Sequence, residues 1–386
     1  MSRRVLQVCV GIVALFVSLF SLKTSEVPFL WIGLVWIPVF AFYVVTSTRH
    51  AFKVTWLSLT AVVLALTVFE AALWARDKMG DASRVQHTVV LERNNQRDDI
   101  LGVRPIRNTV APSVKRYVGD KLIYDVTYTI GPNGLRKNMP DRNVKNPEGC
   151  ILFFGGSFTF GEGVNDDETM PSQVGQLLDF AYRIYNFGFH GYGPHQMLAA
   201  LDHHIVSDIA SCDGLPIAIY QALFEHIPRS AGLSEWDSHG PRYTLGPDGT
   251  AVFSGNFDDG KLPPFILRES GKYHTADRIL AFKSSLKDWD LSLFVSIVTT
   301  AKVRFEQQFP GGKFHVLLWD DEDHPHNTTV LEALVRNGIY VHPVSRIFPH
   351  KGPESVVYKI PHDGHPNALA HRLIAHYVVD HILVNN

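Results

Sequence analysis

The amino-acid sequence predicts an α/β domain built on a parallel sheet, preceded by three transmembrane helices. Two observations lead there. In the carboxyl-terminal two-thirds of the chain, short apolar or β-branched runs alternate with stretches long enough for crossover helices. In the first 76 residues, three long segments carry no acidic or basic side chain. The whole chain of 386 residues has a formal net charge of −2, so no nucleic-acid partner is expected.

The apolar segments are Val5 to Leu22, Val27 to Thr46 and Val54 to Phe69. Each approaches the ~20 residues that cross ~30 Å of hydrocarbon. Trp31, Trp36, Trp56 and Trp74 fall inside or beside them, as interfacial indoles do. A cleaved signal peptide is the alternative for the first segment, but SLKTSEV after it lacks a small-x-small site and leads into another apolar span. Arg3, Arg4, Arg49 and Lys53 favour a cytoplasmic amino terminus, against Lys23, Arg76, Lys78 and Arg84. The expected location is therefore multi-pass in the cytoplasmic membrane, with the residues beyond about 76 periplasmic or extracellular. Residues 1–75 read as the anchor, 76–97 as a charged stalk, 98–149 as a β-extension and 150–386 as the main domain.

Within the extension, Lys121 to Ile130 reads as a strand ended by the turn Gly131-Pro132-Asn133-Gly134. Five strands follow: Ile151 to Phe154, Arg183 to Phe187, Ile217 to Gln221, Phe314 to Trp319 and Tyr340 to Val344. Met170 to Phe180, His195 to Ile209, Leu291 to Phe309, Asn327 to Asn337 and Asn367 to Leu383 read as helices between or after them. Gly240 to Phe257 breaks this rhythm with two alternating segments about Pro247-Asp248-Gly249, a β-hairpin within an insert of about 231–275. Cys9 lies in the first apolar span. Cys150 and Cys212 fall just before two of the expected strands, where they either bridge in an oxidising compartment or remain separate buried thiols.

In an open parallel sheet, ligands bind beyond the carboxyl ends of the strands. The first strand ends at Ser157, in ILFFGGSFTFGEGV. A phosphate-binding loop would need Gly-Lys-Ser/Thr, and Gly161 is followed by Glu162. The α/β-hydrolase elbow would need glycine where Thr159 stands. A serine that only caps the next turn is the plain reading of this run alone. The other strands run into Gly188, His190 and Gly191, into Glu225, His226 and Arg229, into Asp320 to His324, and on to His362, Asp363 and His365. A serine, glycine-rich turns and an Asp/His pair on one rim are the parts needed for nucleophilic acyl transfer. Ser157 would attack, His365 would take its proton, and Asp363 would hold the imidazole tautomer. Backbone N–H groups at Ser157 and Gly191 would receive the oxyanion.

With these residues in place, the chain resembles the SGNH or GDSL hydrolases, especially membrane-anchored bacterial members linked to cell-surface polysaccharide metabolism. The resemblance covers roughly Asn133 to Asn386 and rests on GPNGLR from Gly131, GGSFTFGEGVNDDET from Gly155, NFGFHGYGPHQ from Asn186 and DGHPNALAHRLIA from Asp363. It implies a three-layer α/β/α sandwich of the flavodoxin-like kind. It maps the nucleophile to Ser157, an oxyanion glycine to Gly191, and the terminal pair to Asp363 and His365. Two departures stand out. Where the family has Asn-Asp after the third strand, this chain reads ALFEHIPRS: either His226 supplies the third oxyanion hydrogen bond through a ring N–H, or the site is weakened by the missing asparagine. The terminal pair is Asp-x-His, a spacing shared by related polysaccharide acetyl-transfer proteins.

The expected activity is serine ester hydrolysis, removing acetyl or short acyl groups from an extracytoplasmic carbohydrate. The alternatives are an O-acyltransferase, or a non-catalytic module that binds polysaccharide or a partner in a polysaccharide-synthesis complex. Glu225 and Arg229 are candidate substrate contacts beside their plain reading as an ion pair. Trp236, Tyr243 and Phe253 of the insert are candidates for stacking on sugars, or for packing. No cofactor is expected. A cation at Asp320 to Asp323, or zinc at His362, Asp363 and His365, lacks a supporting ligand pattern.

Overall fold

The computed structural model describes residues 7, 9–15, 17–18, 28–80, 85–89, 95–117, 122–139, 147–259, 288–320, 324, 326–348 and 355–384. The chain divides into two compact units, 1–84 with 260–285 and 85–259 with 286–386. In the first, helices α1 (Pro28–Thr46) and α2 (His50–Gly80) pack against each other, with Trp56 on the rings of Phe40 and Tyr43. Three full-length spans are not found among the described residues. One helix, His50–Ala72, is long and apolar enough to cross a membrane, and Ile32–Thr46 is a shorter apolar helix. The described residues between 7 and 18 are helical, and the remainder of the first expected span lies outside the described residues.

The second unit opens with β1 (Val85–Val89), the ribbon β2 (Asn95–Asp98) and β3 (Gly102–Pro105), and the strands β4 (Thr109–Tyr117) and β5 (Leu122–Ile130). Strands β1, β4 and β5 form one antiparallel sheet. Along β5 the alternation is clean: Tyr124, Val126, Tyr128 and Ile130 turn inward. The segment read as a stalk thus contains β1 and reaches into β2.

The main sheet is formed by β6 (Gly149–Phe154), β7 (Tyr182–Asn186) and β8 (Leu215–Ala222), and, after the antiparallel hairpin β9 (Pro241–Leu245) and β10 (Ala251–Asn256), by β11 (Lys313–Leu318) and β12 (Tyr340–Pro343). Its order is β12-β11-β8-β6-β7, with every pairing parallel. All six residues of β6 are buried because helices cover both faces: Cys150, Leu152 and Phe154 enter one core, and Ile151 and Phe153 the other. Chain order reverses around β6, so the sheet's switch point lies just beyond Phe154.

The helices are α3 (Ser157–Phe160), α4 (Met170–Leu177), α5 (Pro194–Asp202), α6 (Ile205–Ile209), α7 (His226–Ser230), α8 (Asp288–Gln308), α9 (Asn327–Arg336) and α10 (Ala368–Tyr377). Helices α5, α8 and α9 supply the first core, and α4 and α10 the second, giving three layers. The helix expected over His195 to Ile209 is two, because His204 adopts φ 58°, a left-handed conformation that an α-helix cannot continue. Helix α10 continues as a π-helical segment, Val378–Leu383. Beyond Asp259, the expected insert lies outside the described residues. Cys150 and Cys212 are joined in a disulfide, with Cα atoms 5.2 Å apart, so separate thiols are not found.

Candidate active site

Strand β6 delivers the chain into Gly155-Gly156, and α3 begins at Ser157. The Ser157 hydroxyl lies 2.8 Å from Nε2 of His365. His365 in turn donates from Nδ1 to Oδ1 of Asp363 at 2.5 Å, and the same oxygen accepts the His365 backbone N–H at 3.1 Å. The close Asp-x-His spacing makes this double acceptance possible: Asp363 sits in a tight turn, its N–H donating to Ile360 O, and faces its own neighbour's ring. Phe158 packs edge-on against the His365 ring and against Trp319, limiting rotation of the imidazole.

Two further charged groups complete the surroundings. Lys115, on β4, forms an ion pair with Oδ2 of Asp363, whose side chain is fully buried. Glu162 places Oε2 2.8 Å from Nδ1 of His190 and 3.4 Å from Nε2 of His365. Burial opposes ionisation of Asp363, yet the hydrogen bond and charge of His365, with Lys115, hold its carboxyl below the usual range. Burial likewise works against Glu162, but His190, His365 and Lys115 outweigh it and keep that carboxyl well below the ordinary value. For His365, burial favours the neutral ring, while Asp363 and Glu162 together raise its pKa above the usual histidine value.

The backbone N–H groups of Ser157 and Gly191 are the expected oxyanion donors, and neither has an acceptor among the described residues. Gly191 adopts φ +73°, and a Cβ there would meet Trp236 Nε1 at 2.8 Å, so both the turn and the contact demand glycine. His226 is fully buried, and burial, Arg229 and His195 push its pKa well below the usual value, leaving a neutral ring. Its Nδ1 accepts the Leu223 N–H at 3.4 Å and lies 2.7 Å from the Tyr220 hydroxyl. An obligate donor at Nδ1 places the proton on Nε2. That Nε2 has no hydrogen-bond partner among the described residues, and a Cβ on Gly156, the residue before Ser157, would meet it at 3.2 Å.

The remaining candidates separate. Arg229 donates to Tyr192 O at 2.9 Å and lies 5.7 Å from the Trp236 ring, so it braces the Gly191 turn, whereas Glu225 is exposed on the loop. Trp236 is 67% exposed beside Gly191. Tyr243 is buried and donates to Asp202, and Phe253 packs on Tyr243 and His203. Asp320 accepts two hydrogen bonds from Ser345, and residues 321–323 lie outside the described residues. Glu162, Asp363 and His365 offer ligand atoms within 4.8 Å of one another, the single such acid–histidine group among the described residues, and His362 is not part of it. Lys115 on Asp363 and Ser157 on His365 already engage two of its members, which disfavours a cation there.

Sequence reasoning did not find Lys115 or the role of Glu162. Lys115 is 248 residues from Asp363 and stands in a β-rich extension with no motif of its own. Glu162 carried a signal: an acidic residue between two glycines, five positions after the serine.

No protein-family model matches the chain, and no curated protein matches it. Several solved structures are similar at low identity. A lipolytic protein of the G-D-S-L family from Veillonella parvula is 13% identical over 60% of this chain and 97% of its own, with a TM-score of 0.36. The acetyl xylan esterase Est2A from the rumen bacterium Butyrivibrio proteoclasticus is 12% identical over 73% of this chain and 72% of its own, with a TM-score of 0.35. A carbohydrate esterase family 2 enzyme from Corynascus thermopiles (Myceliophthora fergusii) is 13% identical over 69% of this chain and 75% of its own, with a TM-score of 0.32. Likeness of this extent carries no chemistry over to this chain.

Proposed function

We propose that the chain is a membrane-anchored serine esterase of the SGNH type, removing acetyl or other short acyl groups from a carbohydrate outside the cytoplasm. The observation that carries the reading is the unbroken hydrogen-bonded run from Ser157 Oγ through His365 to Asp363, at 2.8 and 2.5 Å. In it, Ser157 attacks the ester carbonyl as Nε2 of His365 takes its proton. The buried Asp363 steadies the imidazolium, and the alcohol leaves with that proton. The N–H groups of Ser157 and Gly191, with Nε2–H of His226, receive the oxyanion. Their backbone members are unspent and the third is a neutral donor without a partner.

Location outside the cytoplasm is supported by the Cys150–Cys212 disulfide, which persists in oxidising compartments, and anchoring by the apolar helix His50–Ala72. A carbohydrate substrate is supported by the exposed Trp236 ring next to Gly191, a surface on which a sugar ring stacks. The test uses the full chain in detergent with a chromogenic acetyl ester and a fluorophosphonate label. Turnover and labelling are expected in the wild type and neither in Ser157→Ala; hydrolysis that survives Ser157→Ala overturns the reading.

A further inference from the structure

Glu162 makes no contact with Asp363 or Ser157 that the triad needs, but its Oε2 stands 3.4 Å from Nε2 of His365, the nitrogen that must deprotonate the acyl acceptor. The carboxylate is held in place. One hydrogen bond at 2.8 Å ties Oε2 to Nδ1–H of His190, whose ring packs on Phe160 and Phe189 with centroids 4.3 and 5.3 Å away. With the proton of His365 on Nδ1 toward Asp363, Nε2 presents a lone pair. Two acceptors then lie close enough together for a single oxygen to reach both.

A single oxygen satisfies both at once only if it bears two hydrogens. Water has two, whereas a sugar hydroxyl, or any alcohol, has one and would turn a lone pair or its carbon toward the carboxylate. Building on the esterase reading, we propose that Glu162 is a specificity-determining residue that seats water as the acyl acceptor and disfavours alcohols, making the site a hydrolase and not an acyltransferase.

In the step concerned, the water oxygen attacks the carbonyl carbon of acyl-Ser157. One of its hydrogens passes as a proton to Nε2 of His365, and the other stays hydrogen-bonded to Glu162. The tetrahedral intermediate collapses by breaking the bond from the acyl carbon to Ser157 Oγ, and His365 returns its proton to that oxygen. The products are a carboxylic acid and the Ser157 hydroxyl, so no co-reactant is needed. With an alcohol the same sequence would yield a new ester.

The experiment measures how the acyl-enzyme partitions. The full chain in detergent is given a chromogenic acetyl ester and graded methanol, and free acetate and methyl acetate are quantified together. The ratio is set after the acyl-enzyme has formed, so it does not move when a variant merely forms that intermediate more slowly. Wild type is expected to yield mainly acetate. In Glu162→Gln, a nearly isosteric change that weakens the acceptor, and in Glu162→Ala, which removes it, the transfer-to-hydrolysis ratio is expected to rise about ten-fold, the worth of one hydrogen bond to a charged group. An unchanged ratio in either active variant overturns the proposal, as does a wild type that mainly transfers. Absence of any turnover in the wild type instead strikes the esterase reading itself.

Discussion

On the proposed reading His226 supplies the third oxyanion donor, and replacing it with phenylalanine tests that role. Phenylalanine keeps a ring in the stack against Tyr220, where the His226 centroid lies 5.7 Å away at 24°, and deletes both nitrogens. The Nε2–H donor near Gly156 goes, and loss of one oxyanion donor costs about 3–4 kcal/mol in the barrier, or roughly 10²- to 10³-fold in kcat. A neutral imidazole belongs at the lower end of that range. The other nitrogen matters to folding. Without Nδ1, the Leu223 N–H and the Tyr220 hydroxyl lose their acceptor, at about 1–3 kcal/mol for each buried group.

Two readouts therefore separate. Steady-state kinetics on an acetyl ester should show kcat lowered roughly 100-fold with KM little changed, because the donor acts on charge that develops only in the transition state. Thermal unfolding should show a lower Tm. Tyr220→Phe is the control: it removes one partner of Nδ1 but leaves the Leu223 N–H to hold the tautomer, so kcat should fall less than about five-fold, well short of the loss of a whole donor. A folded His226→Phe enzyme with kcat within about three-fold of wild type would refute the assignment of the donor.

Two more outcomes follow from the same geometry. Lys115→Met leaves the buried Asp363 with His365 alone. Because the lysine's charge opposes protonation of His365, its removal raises that pKa further. Activity needs the neutral imidazole, so it appears as pH rises through that value, and the acid limb of the kcat/KM profile should move to higher pH; a shift to lower pH refutes the argument. Breaking the Cys150–Cys212 disulfide by Cys150→Ser with Cys212→Ser opens a closure spanning 62 positions. The chain-entropy relation gives about 4 kcal/mol of lost stability, read as a lowered denaturation midpoint in urea, with kcat of the folded fraction unchanged.

The sheet was legible because burial on both faces leaves an unmistakable record: β6 is six residues long, all buried, and its sequence is apolar throughout except for the terminal glycine. The juxtaposition of Ser157, Asp363 and His365 was legible because segments leaving the carboxyl ends of an open sheet share one rim, where the proposed chemistry needs those residue types. The helix break at His204 was not. Residues 195–209 carry a continuous apolar pattern, and the left-handed turn that divides them leaves no proline or glycine behind. Lys115 escaped for another reason: its partner is long-range, and a lysine in an antiparallel strand is ordinarily a solvated face residue. Arg229 was legible as a charge near the site, but its hydrogen bond to Tyr192 O was not, because a backbone acceptor 37 residues away leaves no mark in the sequence.

Arg136 explains why the β-extension cannot be regarded as a mere appendage. Its guanidinium is buried and donates to the carbonyls of Phe160, Gly161 and Val164 and to Asp166, all at 2.6–2.8 Å. Tyr128, on β5, accepts the Gly163 N–H at 2.8 Å. The loop from 160 to 166 therefore relies on the extension for hydrogen bonds that no helix or strand of its own provides. That loop carries Glu162, and the neighbouring strand β4 carries Lys115. The two carboxylates flanking His365, Asp363 on one nitrogen and Glu162 beside the other, are thus both held from the extension. On the proposed reading the parallel sheet supplies nucleophile and base, while the extension holds the charges of Lys115 and Glu162 beside that base.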